Sequence, residues 1–322
     1  AVKPLDFADE RRHLTPSDQP KKQMPTNTNN PCVGQIGPIT PRRLLVIQLF
    51  FVGYFAALFS GFLSFLPNLP FMGGNPFEKF NLGPENWALA YQASGIIVYL
   101  GFITAAVVLA GTDYDCVVAC KAYAINWLVC GCVFGYQVLF MSLNFTESNI
   151  LAFALVFPFA YLGFFSNAEY KKPSETGSTL VALGPITSRI MLYIQLVLCF
   201  YFGALFAGYL SWMPNLPMMG GDPFDKFGFA PVNWTLMTQT VGIIFYLGNL
   251  TGFLAFLSTD GMAVSTCAAF CVTWALCGLI WGVEVATMDV TFTEVNILPF
   301  LLSAIFGYLG FGPKTVKGAT MM

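Results

Sequence analysis

The sequence predicts an all-α polytopic integral membrane protein whose eight transmembrane helices form two tandem, parallel four-helix repeats. Three observations carry this reading. The 322 residues are 56% apolar, 16% aromatic and only 10% charged, whereas a soluble domain carries about 25% charged residues. Residues 37–165 recur without a gap as residues 184–312, at a constant shift of 147, with 64 of 129 positions identical. Finally, the basic residues fall almost entirely on one side of the spans that the apolar runs define.

The period is far longer than that of a solenoid, so each copy is a domain-sized module. The chain divides into a polar tail (1–36), a first repeat (37–168), a linker (169–183), a second repeat (184–312) and a short C-terminal tail (313–322). Within the first repeat, apolar runs long enough to cross about 30 Å of hydrocarbon cover 44–66, 88–111, 116–141 and 149–165. The second repeat gives 190–213, 235–257, 262–288 and 296–311. Four is even, so both repeats enter the bilayer in the same direction, related by a pseudo-two-fold axis along its normal. Of the 15 Lys and Arg, 13 lie on the side of the termini, and only Lys79 and Lys226 lie opposite. That opposite side carries Glu78, Glu85, Glu147, Asp222, Asp225, Asp289 and Glu294. The positive-inside rule then places both termini on the cytosolic, stromal or matrix side.

The tail is polar, with no basic stretch leading into an apolar one, and it leaves the organelle open. A thylakoid or mitochondrial inner membrane is the expected setting. Residues 1–36 are rich in Pro, Asn, Thr and Lys and cannot bury enough apolar area to order themselves. They are expected to be held by a partner on the basic side.

Charge and residue inventory exclude most chemistry. A net charge of −2, with no basic stripe, argues against nucleic acid. His13, the single histidine, lies in the tail, which removes most acid–base, haem and histidine-ligated metal chemistry. No catalytic residue is assigned and no enzyme is expected. All nine cysteines sit on the basic side or within spans, so no disulfide is expected to brace the acidic loops. Cys116 and Cys120 stand one turn apart, as do Cys267 and Cys271, but the pattern shifts between the copies (Ala263 matches Cys116, Ala124 matches Cys271). A ligand set would not drift in this way, and no metal is assigned.

The densest shared stretch is the first loop of each copy: Pro67 to Phe80 and Pro214 to Phe227 agree at 11 of 14 positions. Pro67, Asn68 and Pro70, with Pro214, Asn215 and Pro217, stiffen a turn that paired glycines reverse. Phe77, Phe80 and Trp87, with Phe224, Phe227 and Trp234, are expected at headgroup depth as an aromatic belt. The loop reads either as a hook for a neighbouring subunit, lipid or pigment, or as a rigid closure of the first hairpin. Gly131 and Gly135, with Gly278 and Gly282, place small residues four apart on the third span, a helix-packing signature in lipid.

Polar residues within spans are functional candidates by default. Gln48, Gln195, Gln92, Gln239, Asn126 and Glu284, the last matched by Gln137 in the first copy, are the candidates. In a photosynthetic complex they would be axial ligands for chlorophyll, with carotenoid or structural lipid packed on the phenylalanines. Asn144 and Asn233 both match the glycosylation tripeptide. Together these observations lead to the expectation of a non-catalytic accessory subunit, a scaffold or docking component of a large bioenergetic membrane complex, contacting other membrane subunits, lipids or pigments. The rival expectations are a transporter or channel with its path between the repeats, and a tetraspan-like membrane organiser.

Overall fold

Eight helices in the computed structural model are long and apolar enough to cross a membrane. The structure describes residues 36–165, 172–173, 179–313 and 315–316; the expected tail anchoring and Cys32 lie outside them. The described residues belong to one compact unit.

A Gly-Pro turn precedes each half. Gly37 and Gly184 take φ of 57° and 59°, closing a bridge between Ile36 and Ile39 and a hairpin of β2 (Ala182–Leu183) with β3 (Ile186–Thr187). β1 (Thr179–Leu180) pairs antiparallel with β4 (Thr315–Val316). The helices then follow in order: α1 Pro41–Phe59, α2 Pro76–Phe80, α3 Trp87–Ala110, α4 Asp113–Phe140 and α5 Glu147–Ala160, which ends in a π-helical turn Tyr161–Phe165. The second half gives α6 Ser188–Phe206, α7 Pro223–Phe227, α8 Trp234–Leu257, α9 Asp260–Thr287, a 3-10 turn Glu294–Asn296 and α10 Leu298–Phe311.

α1 and α6 stop seven residues before the expected ends at 66 and 213. The cause is local. Gly61 (φ 72°) and Gly208 (φ 76°) turn left-handed, where a side chain is disfavoured. A Cβ on Gly61 would stand 2.7 Å from the Trp87 ring, so the glycine also makes room for the indole. Beyond them the chain runs in turns to the loop and the one-turn helices α2 and α7.

α1 packs on α3, α4 on α5, α6 on α8 and α9 on α10; between the halves α3 meets α8 and α9, and α4 meets α8. Gly163 lets the end of α5 rest on the backbone of α4, where a Cβ would lie 2.8 Å from Lys121 N. The outward faces remain apolar, with Phe50, Leu109, Leu139, Phe157, Phe200 and Phe256 exposed. Water would not favour such a surface; lipid does.

Arginine ties the helices at the tail end. Arg42 donates to Val108 O and, at 2.7 Å, to Gly111 O at the end of α3, and pairs with Asp113 at 3.3 Å. Arg189 does the same for α8, donating to Ala255 O at 2.5 Å and Ser258 O at 2.9 Å and pairing with Asp260 at 2.8 Å. Each guanidinium serves orphan carbonyls at a helix C-terminus, where positive charge is favoured.

Candidate functional sites: the loop tips and the polar seam

Two sets of residues stand out, the loops that follow α1 and α6 and the polar contacts between the halves. Each loop is mounted on a buried ion pair. Lys79 Nζ lies 3.0 Å from Glu147 Oε1, with the side chains 3% and 1% exposed. The same ammonium donates to Leu69 O at 2.8 Å and Gly73 O at 3.1 Å, and Glu147 accepts from Tyr54 OH at 2.6 Å. In the other loop Lys226 stands 3.0 Å from Glu294 and donates to Leu216 O at 2.9 Å. Lys79, Lys226, Glu147 and Glu294, counted in the sequence only as charges of the acidic side, are internal fastenings.

What the fastenings hold outward is apolar. Pro67, Asn68 and Pro70 are exposed, as are Pro214, Asn215 and Pro217. Leu69, Phe71 and Met72 stand at one tip and Leu216, Met218 and Met219 at the other, each roughly half exposed. Phe71 and Met218 take φ of 59° and 56°, a conformation that bulky residues rarely adopt. Gly73 (φ 151°) and Gly74 (φ 106°) close the loop, Gly74 N donating to Leu63 O at 3.0 Å.

Of the six rings expected as an aromatic belt, four are turned into the protein. Phe77, Phe80, Phe224 and Phe227 are buried. Phe77 meets Trp87 edge-on at 4.9 Å, Phe80 stacks on Phe59 at 5.7 Å, Phe224 meets Trp234 at 4.9 Å and Phe227 meets Trp281 at 5.1 Å. The proline that opens α2 and α7 turns these rings inward, and burying them returns more free energy than headgroup contact. Of this group, Trp234 is exposed and Trp87 half-buried.

The four glycines of the third spans divide into two kinds. Gly131 and Gly278 face α5 and α10 of their own half, where a Cβ would come within 3.4 Å of Ala152 and 2.7 Å of the Phe300 ring. Gly135 and Gly282 face open space.

The polar residues of the spans are engaged with other parts of this chain. Trp127 donates to Gln48 and Trp274 to Gln195, both at 2.8 Å, joining the first and third spans of each half. The rest cross between halves. Asn86 and Asn233 each cap their own helix with Oδ1 and use Nδ2 on the other half, at Pro231 O (2.8 Å) and Pro84 O (2.6 Å). Gln92 donates to Glu284 at 2.5 Å, and Gln239 donates to Gln137. Asn126 donates to Tyr246 O at 3.1 Å and accepts from Asn249 at 2.8 Å.

At the tail end, Asp115 accepts from its own Thr112 N (2.9 Å) and from Thr259 N (2.8 Å) and Thr259 Oγ1 (3.0 Å) of the other half. One carboxylate thus serves the N-termini of both α4 and α9, where negative charge is favoured. Asn249 and Asp115 were not among the sequence candidates. Asn249 has Phe102 at its twin position and Asp115 has Met262, so comparing the copies gave no signal for either.

Cavities of about 90 and about 80 Å³ border this seam. Gln48, Trp127 and Tyr123 line the first together with Gln239 of the other half; Gln195, Trp274 and Phe270 line the second together with Gln92. Each has room for a few waters at about 30 Å³ apiece. Among the described residues no group of three His, Cys, Asp or Glu is placed to hold a metal ion, and the eight described cysteines are free thiols. Asn144 is exposed, while Asn233 is buried and committed to the seam. No protein-family model, curated protein or solved structure matches the chain.

Proposed function

We propose that this protein is a non-catalytic docking subunit of a larger membrane complex, built of two tandem parallel four-helix repeats with both termini on the basic side. One observation carries the proposal: each half mounts an exposed apolar loop tip, at a bulky residue of positive φ, on a buried Lys–Glu pair. Strained backbone persists only where its surroundings impose it. A strained, rigid and apolar tip costs little ordering entropy when a partner closes over it.

Several contacts support the repeat arrangement. The N-termini of α3 and α8 bond to each other through Asn86 and Asn233, and those of α4 and α9 share Asp115. Corresponding helices then run in the same direction. The polar contacts of the seam are closed on one another by side-chain hydrogen bonds, which favours a fixed scaffold over a solute path. A glycan on Asn233 would break the seam, which leaves Asn144 as the glycosylation tripeptide a cell-surface organiser would use.

The test is purification of the native particle from its own membrane, with mass spectrometry of co-purifying subunits and pigments. The comparison is a variant with Phe71, Met72, Met218 and Met219 all changed to Ser. These side chains are exposed, so the variant is expected to keep its own helical fold and to lose partner subunits. A wild-type protein that purifies alone and moves a solute in liposomes would overturn the proposal.

A further inference from the structure

A groove of about 520 Å³ runs between α3 of the first half and α9 of the second. Gly95 allows the close approach, since a Cβ there would lie 3.0 Å from Ile280 Cδ1. The groove ends near the last turn of α9, at Glu284, whose side chain is 2% exposed. Glu284 Oε2 takes the Gln92 amide, while Oε1 is buried without a hydrogen-bond partner.

Of the remaining polar lining, Ser94 and Ser60 offer acceptors, and Tyr99 adds a buried hydroxyl without a hydrogen-bond partner. Ser94 Oγ donates to Ala56 O at 2.8 Å and Ser60 Oγ to Ala57 O at 3.1 Å, so each hydroxyl proton is used and lone pairs remain. Tyr91 also lines the groove, 6.2 Å ring to ring from Trp87. Val98, Leu279 and Val283 form the apolar wall.

The second copy of each element shows that this polarity is not needed for packing. At the twin positions, Glu284 is matched by Gln137, Ser94 by Val241 and Ser60 by Ala207. Gln137 accepts from Gln239 and donates to Thr235 O at 3.4 Å, so both ends of its amide are engaged. The same helical contact is therefore made once with satisfied or apolar groups and once with a carboxylate and two lone-pair donors to a groove. A buried carboxylate oxygen is costly to leave unpaired, and a cation repays that cost.

We propose that the α3–α9 groove binds a lipid whose headgroup carries a primary ammonium, with the ammonium on Glu284, Ser94 and Ser60 and an acyl chain along Val98, Leu279 and Val283. Three N–H donors suit three oxygen acceptors, and a quaternary ammonium has no such donors. The inference is independent of the docking proposal, since it concerns a different surface.

The test reconstitutes the full chain in nanodiscs of equal phosphatidylethanolamine and phosphatidylcholine and counts the lipids retained by native mass spectrometry. Wild type is expected to retain phosphatidylethanolamine preferentially, by about tenfold or more for a charge-assisted contact. Glu284→Gln, which copies the residue at Gln137, should fold and lose the preference; Ser94→Val, which copies Val241, should weaken it. Equal retention of the two lipids by wild type, or an unchanged preference in Glu284→Gln, would overturn the proposal.

Discussion

Replacing Lys79 by Met removes a buried cation and keeps most of its stem. At 3.0 Å, the attraction between Lys79 and Glu147 is about 5–6 kcal/mol at an effective dielectric of about 20. Desolvating two ions cancels most of that, so the intact pair adds little net stability; stranding one partner costs about 3–5 kcal/mol. Leu69 O and Gly73 O lose their donor as well, each worth about 1 kcal/mol. Lys79→Met is therefore expected to destabilise by about 4 kcal/mol or more. Lys79→Met with Glu147→Gln removes the stranded charge and keeps a group for Tyr54, leaving a deficit of about 2 kcal/mol from the two carbonyls. Lys226→Met should cost less than Lys79→Met, because Glu294 is 10% exposed where Glu147 is 1%. Reversible unfolding of the purified protein in bicelles gives the double-mutant cycle, and proteolysis across residues 67–75 reports whether the loop has come loose. A cost under about 1 kcal/mol for Lys79→Met, or a double variant no more stable than the single, would refute the reasoning.

Gly163→Ala should destabilise by about 1–3 kcal/mol, since the new methyl meets the Lys121 backbone nitrogen at 2.8 Å. Gly282→Ala, with nothing within 4 Å, should change thermal stability little in the same detergent. Asp115→Ala removes the acceptor shared by Thr112 and Thr259 and should cost about 2–4 kcal/mol, about twice an ordinary cap, read as faster hydrogen exchange at the starts of both α4 and α9. Trp127→Phe leaves the Gln48 oxygen buried without its donor and should cost about 1–3 kcal/mol in the same unfolding assay.

The eight spans were legible because a helix in lipid must be apolar around its whole circumference for about twenty residues, a signal that needs no partner. The ends of α1 and α6 were misplaced because Gly61 and Gly208 interrupt the helix without interrupting the hydrophobicity. Phe77 and Phe80 were placed at the headgroups because a ring that caps a core and a ring at the interface look alike until the turn at Pro76 is built. The ion pairs were nearer to hand than they looked. Among the 64 positions identical in the two copies, only four carry charge: Arg42, Lys79, Asp113 and Glu147, with their twins. All four pair with one another, Arg42 with Asp113 and Lys79 with Glu147, and the second copy repeats both pairs. A charge kept twice in a chain this apolar marks a partner kept twice, because an unpaired one would be costly in each half. The seam was not legible in this way. Gln92 reaches Glu284 across 192 residues and Gln239 reaches Gln137 across 102, separations that mean nothing until α3 is known to meet α9 and α4 to meet α8.

The polar residues that occur in only one copy separate into two kinds on physical grounds. Asp115 lies where equivalent elements of the two halves, the starts of α4 and α9, face each other. A carboxylate at Met262, the twin of Asp115, would bring a second anion to the same pair of helix ends, where like charges repel. One acid placed between Thr112 and Thr259 satisfies both ends; two would not. Asn126 sits at the α4–α8 contact and is satisfied within the chain, its oxygen taken by Asn249 and its nitrogen by Tyr246 O. For Asp115, occurrence in a single copy is a consequence of sharing. Glu284 does not share: its twin Gln137 makes its own contacts elsewhere, and its outer oxygen meets nothing in the chain. Asymmetry at a shared contact is structural, whereas asymmetry that leaves a buried acceptor open points outside the chain. That distinction makes the α3–α9 groove, and not the cavities beside Gln48 and Gln195, the place where the two halves have diverged in function.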